Sequence, residues 1–208
     1  MTRRAEMGLG VHFLDSGPLL CLGGSSVLAD LYDDVCGSEA RVVEAVAKEI
    51  ERRASARTLP GDPKRRGGAD DAFRGAARRY RTLLDAAEPR PDPVPEALLQ
   101  LESEFRALAE SKDPGKVQHP TAHRGESESI HAAMRSQGSL VSCDDDAGRV
   151  AQSRGVYAET VVDLARRFVR EQKVVKPRRI FSELQTLVRN GVDIGDVVQS
   201  ALDLTRAP

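Results

Sequence analysis

Two short apolar runs each lead straight into a carboxylate: VHFLD at 11–15, and SLVSC at 139–143 followed by Asp144. Both runs have the length and composition of buried strands, and Val156 to Ala158 reads as a third. The stretches between them carry helical spacing. In residues 39–56, Val42, Val43, Val46 and Ile50 recur as one face of a helix, and residues 26–34 fit one or two helical turns. Residues 160–172 and 177–190 fit helices, the second stopped by Asn190 and Gly191, and Asp196 to Leu204 reads as a closing helix. Short apolar strands alternating with helices predict an α/β fold, a three-layer sandwich whose central parallel sheet is covered on both faces.

The spacing also divides the chain. After the first strand a turn is expected at Ser16, Gly17 and Pro18, then an apolar stretch through Leu22 that Gly23 and Gly24 break. Residues 60–71 are a turn-rich loop, basic then acidic. Helices are expected over 72–87 and 94–110, flanking PRPDPVP, where prolines remove donors and restrict the residues before them. Residues 60–118 therefore read as a solvent-exposed helical insertion, rich in Arg and poor in core residues, within a single domain spanning 1–208. A helix over 123–138 opens at Gly125 and stops at Gly138, and residues 144–155 form a loop entering a helix that ends at Gly155.

Composition narrows the function classes. Apolar residues make up 40 % of the chain but aromatics only 4 %, with no Trp, so the core must be built from Val, Leu, Ile and Ala. The net charge is −1, so no global field pulls the chain onto nucleic acid, and any such contact must come from local Arg clusters. Cys21, Cys36 and Cys143 are an odd number without metal-ligand spacing, which points to a reducing compartment rather than a disulfide framework. Arg3 and Arg4 precede an apolar stretch, but Glu6, His12 and Asp15 interrupt it. No segment approaches the ~18 apolar residues of a membrane span. A soluble, cytoplasmic protein is expected.

The chemistry centres on the strand ends. In open α/β sheets, ligands sit in the crevice beyond the carboxyl ends of the strands. Asp15 and Asp144 converge there, and carboxylates that close repel each other unless a cation joins them. A hard-oxygen site for Mg²⁺ or Mn²⁺ resolves that conflict. Glu126 shares a helix face with Ile130 and Ala133, so it is expected to point inward. Glu128 lies about 160° away around the same helix. The blander reading stands beside this one: an Asp after a strand is often a helix cap, and a Glu in a first turn often complements the dipole. Asp145 and Asp146 fit capping and loop roles better than metal binding.

LDSGPLL (14–20), GESESIHAA (125–133) and VSCDDDAGRVAQSRGV (141–156) resemble the three signature regions of PIN-domain nucleases, a family that includes the VapC-type toxins of toxin–antitoxin pairs. The matching positions are Asp15-Ser16 and Ser142-Cys143-Asp144, followed by Arg149 and Ala151; the G-E-x-E segment is similar to a subgroup with Glu where many relatives have Asp. The resemblance covers about 1–58 and 120–208, and compact relatives lack most of 60–118. It implies a fourth acid on an early helix, for which Glu49 in VAKEI fits, with Glu44 in reserve. It further implies that Asp15, Glu49, Glu126 and Asp144 hold one or two Mg²⁺ or Mn²⁺ ions that activate water against RNA. Glu128, Asp145 and Asp146 are weaker metal candidates. Ser16 would orient Asp15 or a water at the metal, and Arg149 and Arg124 would contact substrate phosphate. An antitoxin partner and a homodimer are expected on the same ground.

The reading is thus a metal-dependent endoribonuclease. One alternative is a catalytically inactive PIN-like module that binds RNA or a protein partner. Another is a phosphotransfer receiver fold, but that needs an acidic pair after the first strand, where this chain has Ser16 and Gly17. The basic groups Lys64 to Arg66 and Arg78–Arg79 are weak candidates for RNA contact, and a zinc pair from His119 and His123 is opposed by the intervening Pro120.

Overall fold

A computed structural model of the chain describes residues 10–35, 39–55, 67–115, 122–172, 176–195 and 198–206. It is an α/β protein with a four-stranded, all-parallel sheet in the order β2-β1-β3-β4. The strands are β1 (His12–Leu14), β2 (Ala40–Arg41), β3 (Ser139–Val141) and β4 (Tyr157–Glu159). In register, His12 pairs with Ala40 on one side and Ser139 on the other, and Ser139 pairs with Tyr157. Every residue of β1 and β3 is buried. Because successive strand side chains point to opposite faces, the sheet is covered on both.

The helices are α1 (Ser16–Gly24), α2 (Ser26–Val35), α3 (Glu44–Ser55), α4 (Gly67–Arg79), α5 (Arg81–Asp85), α6 (Glu96–Lys112), α7 (Arg124–Ser136), α8 (Asp145–Ser153), α9 (Val161–Gln172) and α10 (Pro177–Arg189). The chain steps from β1 to β2 on one side of the sheet, then to β3 on the other side of β1, then outward to β4. The reversal of direction lies between β1 and β3, which is where such sheets open a crevice at their carboxyl ends.

Several expectations are corrected here. The turn at residues 16–18 is instead the first turn of α1. The Asp15 carboxylate accepts from the Ser16 N–H as its cap, and Pro18 sits among first-turn positions whose N–H groups have no helical partner anyway. Gly23 and Gly24 do not break the run but end α1 where α4 crosses it. A Cβ on Gly23 would lie 2.3 Å from the Ala76 nitrogen, and one on Gly75 would lie 2.1 Å from the Gly23 oxygen. Residues 40–43 are not helical. Ala40–Arg41 is an unanticipated parallel strand, and Val43 bridges Glu88 beyond it. The closing helix at 196–204 is replaced, among the described residues, by irregular chain and one 3₁₀ turn at Asp203–Thr205.

Among the described residues of the 60–118 segment, α4, α5 and α6 are helical, and each turns one face into the core rather than standing wholly in solvent. Phe73, Ala76, Tyr80, Leu84, Leu101 and Phe105 are buried in the same core as the sheet. A fully buried Leu or Phe contributes about 1.5–3 kcal/mol, so this segment is part of the folding unit. The Pro-rich stretch before α6 is irregular, as its composition requires. Lys64 to Arg66, Cys36 and His119 lie outside the described residues. Arg79 is committed to Asp30 and Asp33 of α2, at 2.8 and 3.2 Å. Among the described residues, no helix is long and apolar enough to cross a membrane.

Candidate metal centre

Asp15 stands at the carboxyl end of β1, 6 % exposed. Its backbone N–H continues the sheet by donating to the Val141 carbonyl at 3.0 Å. Oδ1 accepts from the Ser16 N–H at 2.7 Å, and Oδ2 accepts from Ser142 Oγ at 3.1 Å. Burial, then the negative charge of Glu126, and finally that of Glu49, push the carboxyl up to about 8 against these two hydrogen bonds. Glu126 and Glu49 are thus the neighbouring charges that oppose its ionisation.

Two local features bring those acids in. Gly125, in the first turn of α7, has no side chain to hold α3 away: a Cβ there would meet Val46 Cγ2 at 3.1 Å and lie 3.7 Å from Asp15 Oδ1. Glu126 follows it directly. Glu49 lies on α3 one residue before Ile50, which is fully buried and anchors that helix to the core. Glu49 also pairs with Arg53 at 3.3 Å. Glu44 pairs with Lys48 at 2.6 Å instead.

Asp144 lies on the other side. It is exposed and caps α8, its Oδ1 accepting from the Asp146 and Ala147 N–H groups at 2.7 and 3.2 Å. It is tied to Asp15 through one atom: Ser142 Oγ donates to Asp15 and accepts the Asp144 N–H at 3.1 Å. Asp145 is exposed, and Asp146 is held by Arg149 at 2.9 Å and by Lys112. Ser16 reaches Asp15 through its backbone N–H.

The two glutamates of α7 reverse their expected burial. Glu128 is the deeper one, 3 % exposed, whereas the Glu126 side chain keeps 21 % of its surface. The reason is that α7 is enclosed by α3, α6 and the sheet, so its first turns are buried almost all round. The Glu128 carboxylate is occupied by Arg90 at 2.7 Å, Arg124 at 2.8 Å and the Ala45 N–H at 3.3 Å.

His123 was weighed near the glutamates only as half of a zinc pair with His119, not for a link to Asp144. It precedes α7 in a left-handed conformation, φ 59°, and its ring stacks on Phe105 with centroids 5.5 Å apart. Nδ1 is 3.7 Å from Glu126 Oε1, an ion-pair separation longer than a hydrogen bond. Glu126, then Asp144 and Asp146, raise its pKa against burial. His123 thus sits between the Glu126 side of the site and the Asp144 side. Neither the periodicity nor the local motif signals this, since it depends on one positive φ and on a ring from α6.

The surface around these residues is two clefts rather than one. A cleft of about 430 Å³ is lined by Lys48, Glu49, Arg52, Arg53 and residues 122–126, Arg124 among them. A second, of about 370 Å³, carries Ser142, Asp144 and Arg149. Asp15 lies between them, behind Gly125 and beside Ser142. Asp15, Glu49 and Glu126 are therefore brought within electrostatic reach of one another, and Asp144 joins through Ser142. Among the described residues, no three Asp, Glu, His or Cys side chains are already gathered at metal-ligand distances. In donor type and mutual charge the acids do fit a hard divalent cation, which would offset the burial and the repulsion that raise the Asp15 pKa. No family model matches this chain, and no curated protein or solved structure is significantly similar to it.

Proposed function

We propose that this chain is a Mg²⁺- or Mn²⁺-dependent endoribonuclease of the PIN-domain kind. One observation carries the reading: the Asp15 carboxyl is buried at the end of the central strand, held by the Ser16 N–H and the Ser142 hydroxyl, and burial with the charges of Glu126 and Glu49 raises its pKa. Perturbed carboxyls of this sort, facing further acids at the switch point of a parallel sheet, mark functional sites.

In this reading Asp15, Glu49 and Glu126 hold the ion, with Asp144 contributing from the far side of Ser142. A bound divalent cation supplies charge and lowers the pKa of water for phosphodiester hydrolysis. The Ser16 N–H and Ser142 hydroxyl fix the Asp15 carboxylate so that both oxygens keep their direction. Arg124 lines the cleft beside Glu49 and Glu126 with its Nε on Glu128, and in this reading its remaining N–H groups meet a phosphate. Arg149 opens on the cleft with Asp144. The toxin role, the antitoxin partner and a homodimer follow from the resemblance alone.

A second reading, an inactive module that binds RNA or a protein partner, is favoured by the Asp144 carboxylate being engaged as a helix cap. One experiment separates them. The purified chain is incubated with single-stranded RNA in Mg²⁺, Mn²⁺ or EDTA, beside Asp15→Asn and Asp144→Asn. The nuclease reading expects cleavage that needs metal and is lost in Asp15→Asn. Cleavage that persists in EDTA or in that variant overturns it, and RNA binding without cleavage under either metal establishes the binding module.

A further inference from the structure

At the opposite, amino end of the strands, a cavity of about 720 Å³ is lined by His12, Met134, Ser139, Arg154, Tyr157 and Arg167, among others. That volume falls within the ~300–1,000 Å³ of small-molecule sites. The strand register makes the cavity: His12, Ser139 and Tyr157 are neighbours in one row across β1, β3 and β4, so their side chains share a face.

Its chemistry is two-sided. Four large apolar side chains are exposed among the described residues, and two of them, Tyr157 at 65 % and Met134 at 37 %, line this one cavity. The polar side carries two guanidiniums, Arg154 and Arg167, each ion-paired to a glutamate, and the Glu159 carboxylate lines the cavity with them. Arg167 donates one NH₂ group to the buried Glu159 at 2.8 Å, while its Nε is buried without a hydrogen-bond partner among the described residues. A buried charged donor with nothing to bond is costly, and a turn of the side chain that brings Nε to an acceptor in the cavity removes that cost. Arg154 is the second guanidinium, held by Glu104 at 2.8 Å. His12 is buried with Nδ1 2.7 Å from Ser139 Oγ. Burial and then the Arg167 charge lower its pKa, against the charge of Glu39.

The geometry points to a binding site here for a small molecule with a flat aromatic body and one anionic head, a mononucleotide or an aromatic carboxylate. The body lies against Tyr157 and Met134, where ring and thioether contacts are favourable. The anionic head takes the Nε–H of Arg167, a charge-assisted bond. This site is independent of the acids at the carboxyl ends and of the nuclease reading.

The test uses the full chain in EDTA, titrated by NMR or fluorescence with 5′-AMP and with indole-3-acetate; adenosine, indole and inorganic phosphate are controls. Saturable binding of either anionic probe is expected, at least about tenfold tighter than its neutral counterpart or phosphate. Which probe binds tells the nucleotide from the carboxylate. Tyr157→Ser, on an exposed side chain, and Arg167→Lys, which keeps the charge but removes Nε, are each expected to weaken binding about tenfold or more. If neither probe binds up to about 10 mM, if the neutral controls bind as well, or if Tyr157→Ser binds as tightly as the parent, the site is overturned.

Discussion

Asp15 and Ser142 are joined by a hydrogen bond of 3.1 Å across 127 positions of sequence. The bond fastens the end of β1 to the end of β3, because the same Ser142 oxygen accepts the Asp144 N–H. It also stabilises the ionised form of Asp15. Ser142→Ala is therefore expected to raise the Asp15 pKa further and to cost about 1 kcal/mol of stability. On the nuclease reading, metal-dependent cleavage falls by roughly tenfold, as when an outer hydrogen bond to a metal ligand is removed. Carboxyl-carbon NMR titration beside urea unfolding checks the first two outcomes. An unchanged Asp15 pKa in the variant would show that the bond does not act on the carboxylate.

Burial and the charges of Glu126 and Glu49 push the Asp15 carboxyl up to about 8 in the folded chain, against 3.8 for a free aspartate side chain. Between those limits the folded state holds a proton that the unfolded state has released. The stabilisation from this group is complete below the unfolded pKa and is lost as pH rises through the folded one. Without metal, stability then falls by up to about 1.4 kcal/mol per pH unit on this account. Asp15→Asn removes the slope, so in EDTA its Tm should gain on the parent from pH 5 to pH 8.5. Adding Mg²⁺ should protect the parent more at the high end of that range and should not protect the variant. Parallel Tm curves for the two proteins in EDTA would contradict the assigned shift.

The α1–α4 crossing at Gly23 and Gly75 leaves no room for a methyl group. Gly23→Ala gains helix propensity but forces the two backbones apart, and overpacking of this kind costs about 1–3 kcal/mol. Gly148, on α8, has nothing within 4 Å of where its Cβ would stand. Gly148→Ala should instead stabilise by about 0.5–1 kcal/mol. Opposite shifts of the urea midpoint in the two variants are the expected result.

Arg90 connects the Pro-rich stretch to two acids, Glu102 and Glu128, each at 2.7 Å. The Glu128 side chain is only 2 % exposed. Arg90→Ala leaves that buried charge with Arg124 alone and should cost about 3 kcal/mol. Arg90→Ala combined with Glu128→Gln should recover much of the loss, since the uncompensated charge is gone. Denaturant unfolding of the single and double variants measures the difference.

The strands at 11–15 and 139–143 were legible because apolar runs bounded by polar residues report burial directly. The start of α7 and the stop of α10 were legible for a similar reason: glycines and first-turn acids act within a few residues. What was missed acts over distance. Ala40–Arg41 is too short to carry a period, and it is a strand because β1 and its own flanking bridge to Glu88 provide partners. The 60–118 helices have a polar average, yet Phe73, Tyr80 and Phe105 find the core. Glu128 was placed facing away because helix geometry gives direction but not what stands in that direction.

By itself the sequence determined an alternation of buried strands and helices, and acids standing where two strands end. Those properties depend on local period and on the chemistry of each side chain. Only the tertiary structure decided which acids meet: Gly125 lets α7 close on Asp15 and α3, Ser142 ties Asp144 to it, and Arg90 withdraws Glu128 into an ion-paired network. Burial and charge proximity are properties of residues distant in sequence, and a carboxyl's pKa, unlike a helix's spacing, is set by them.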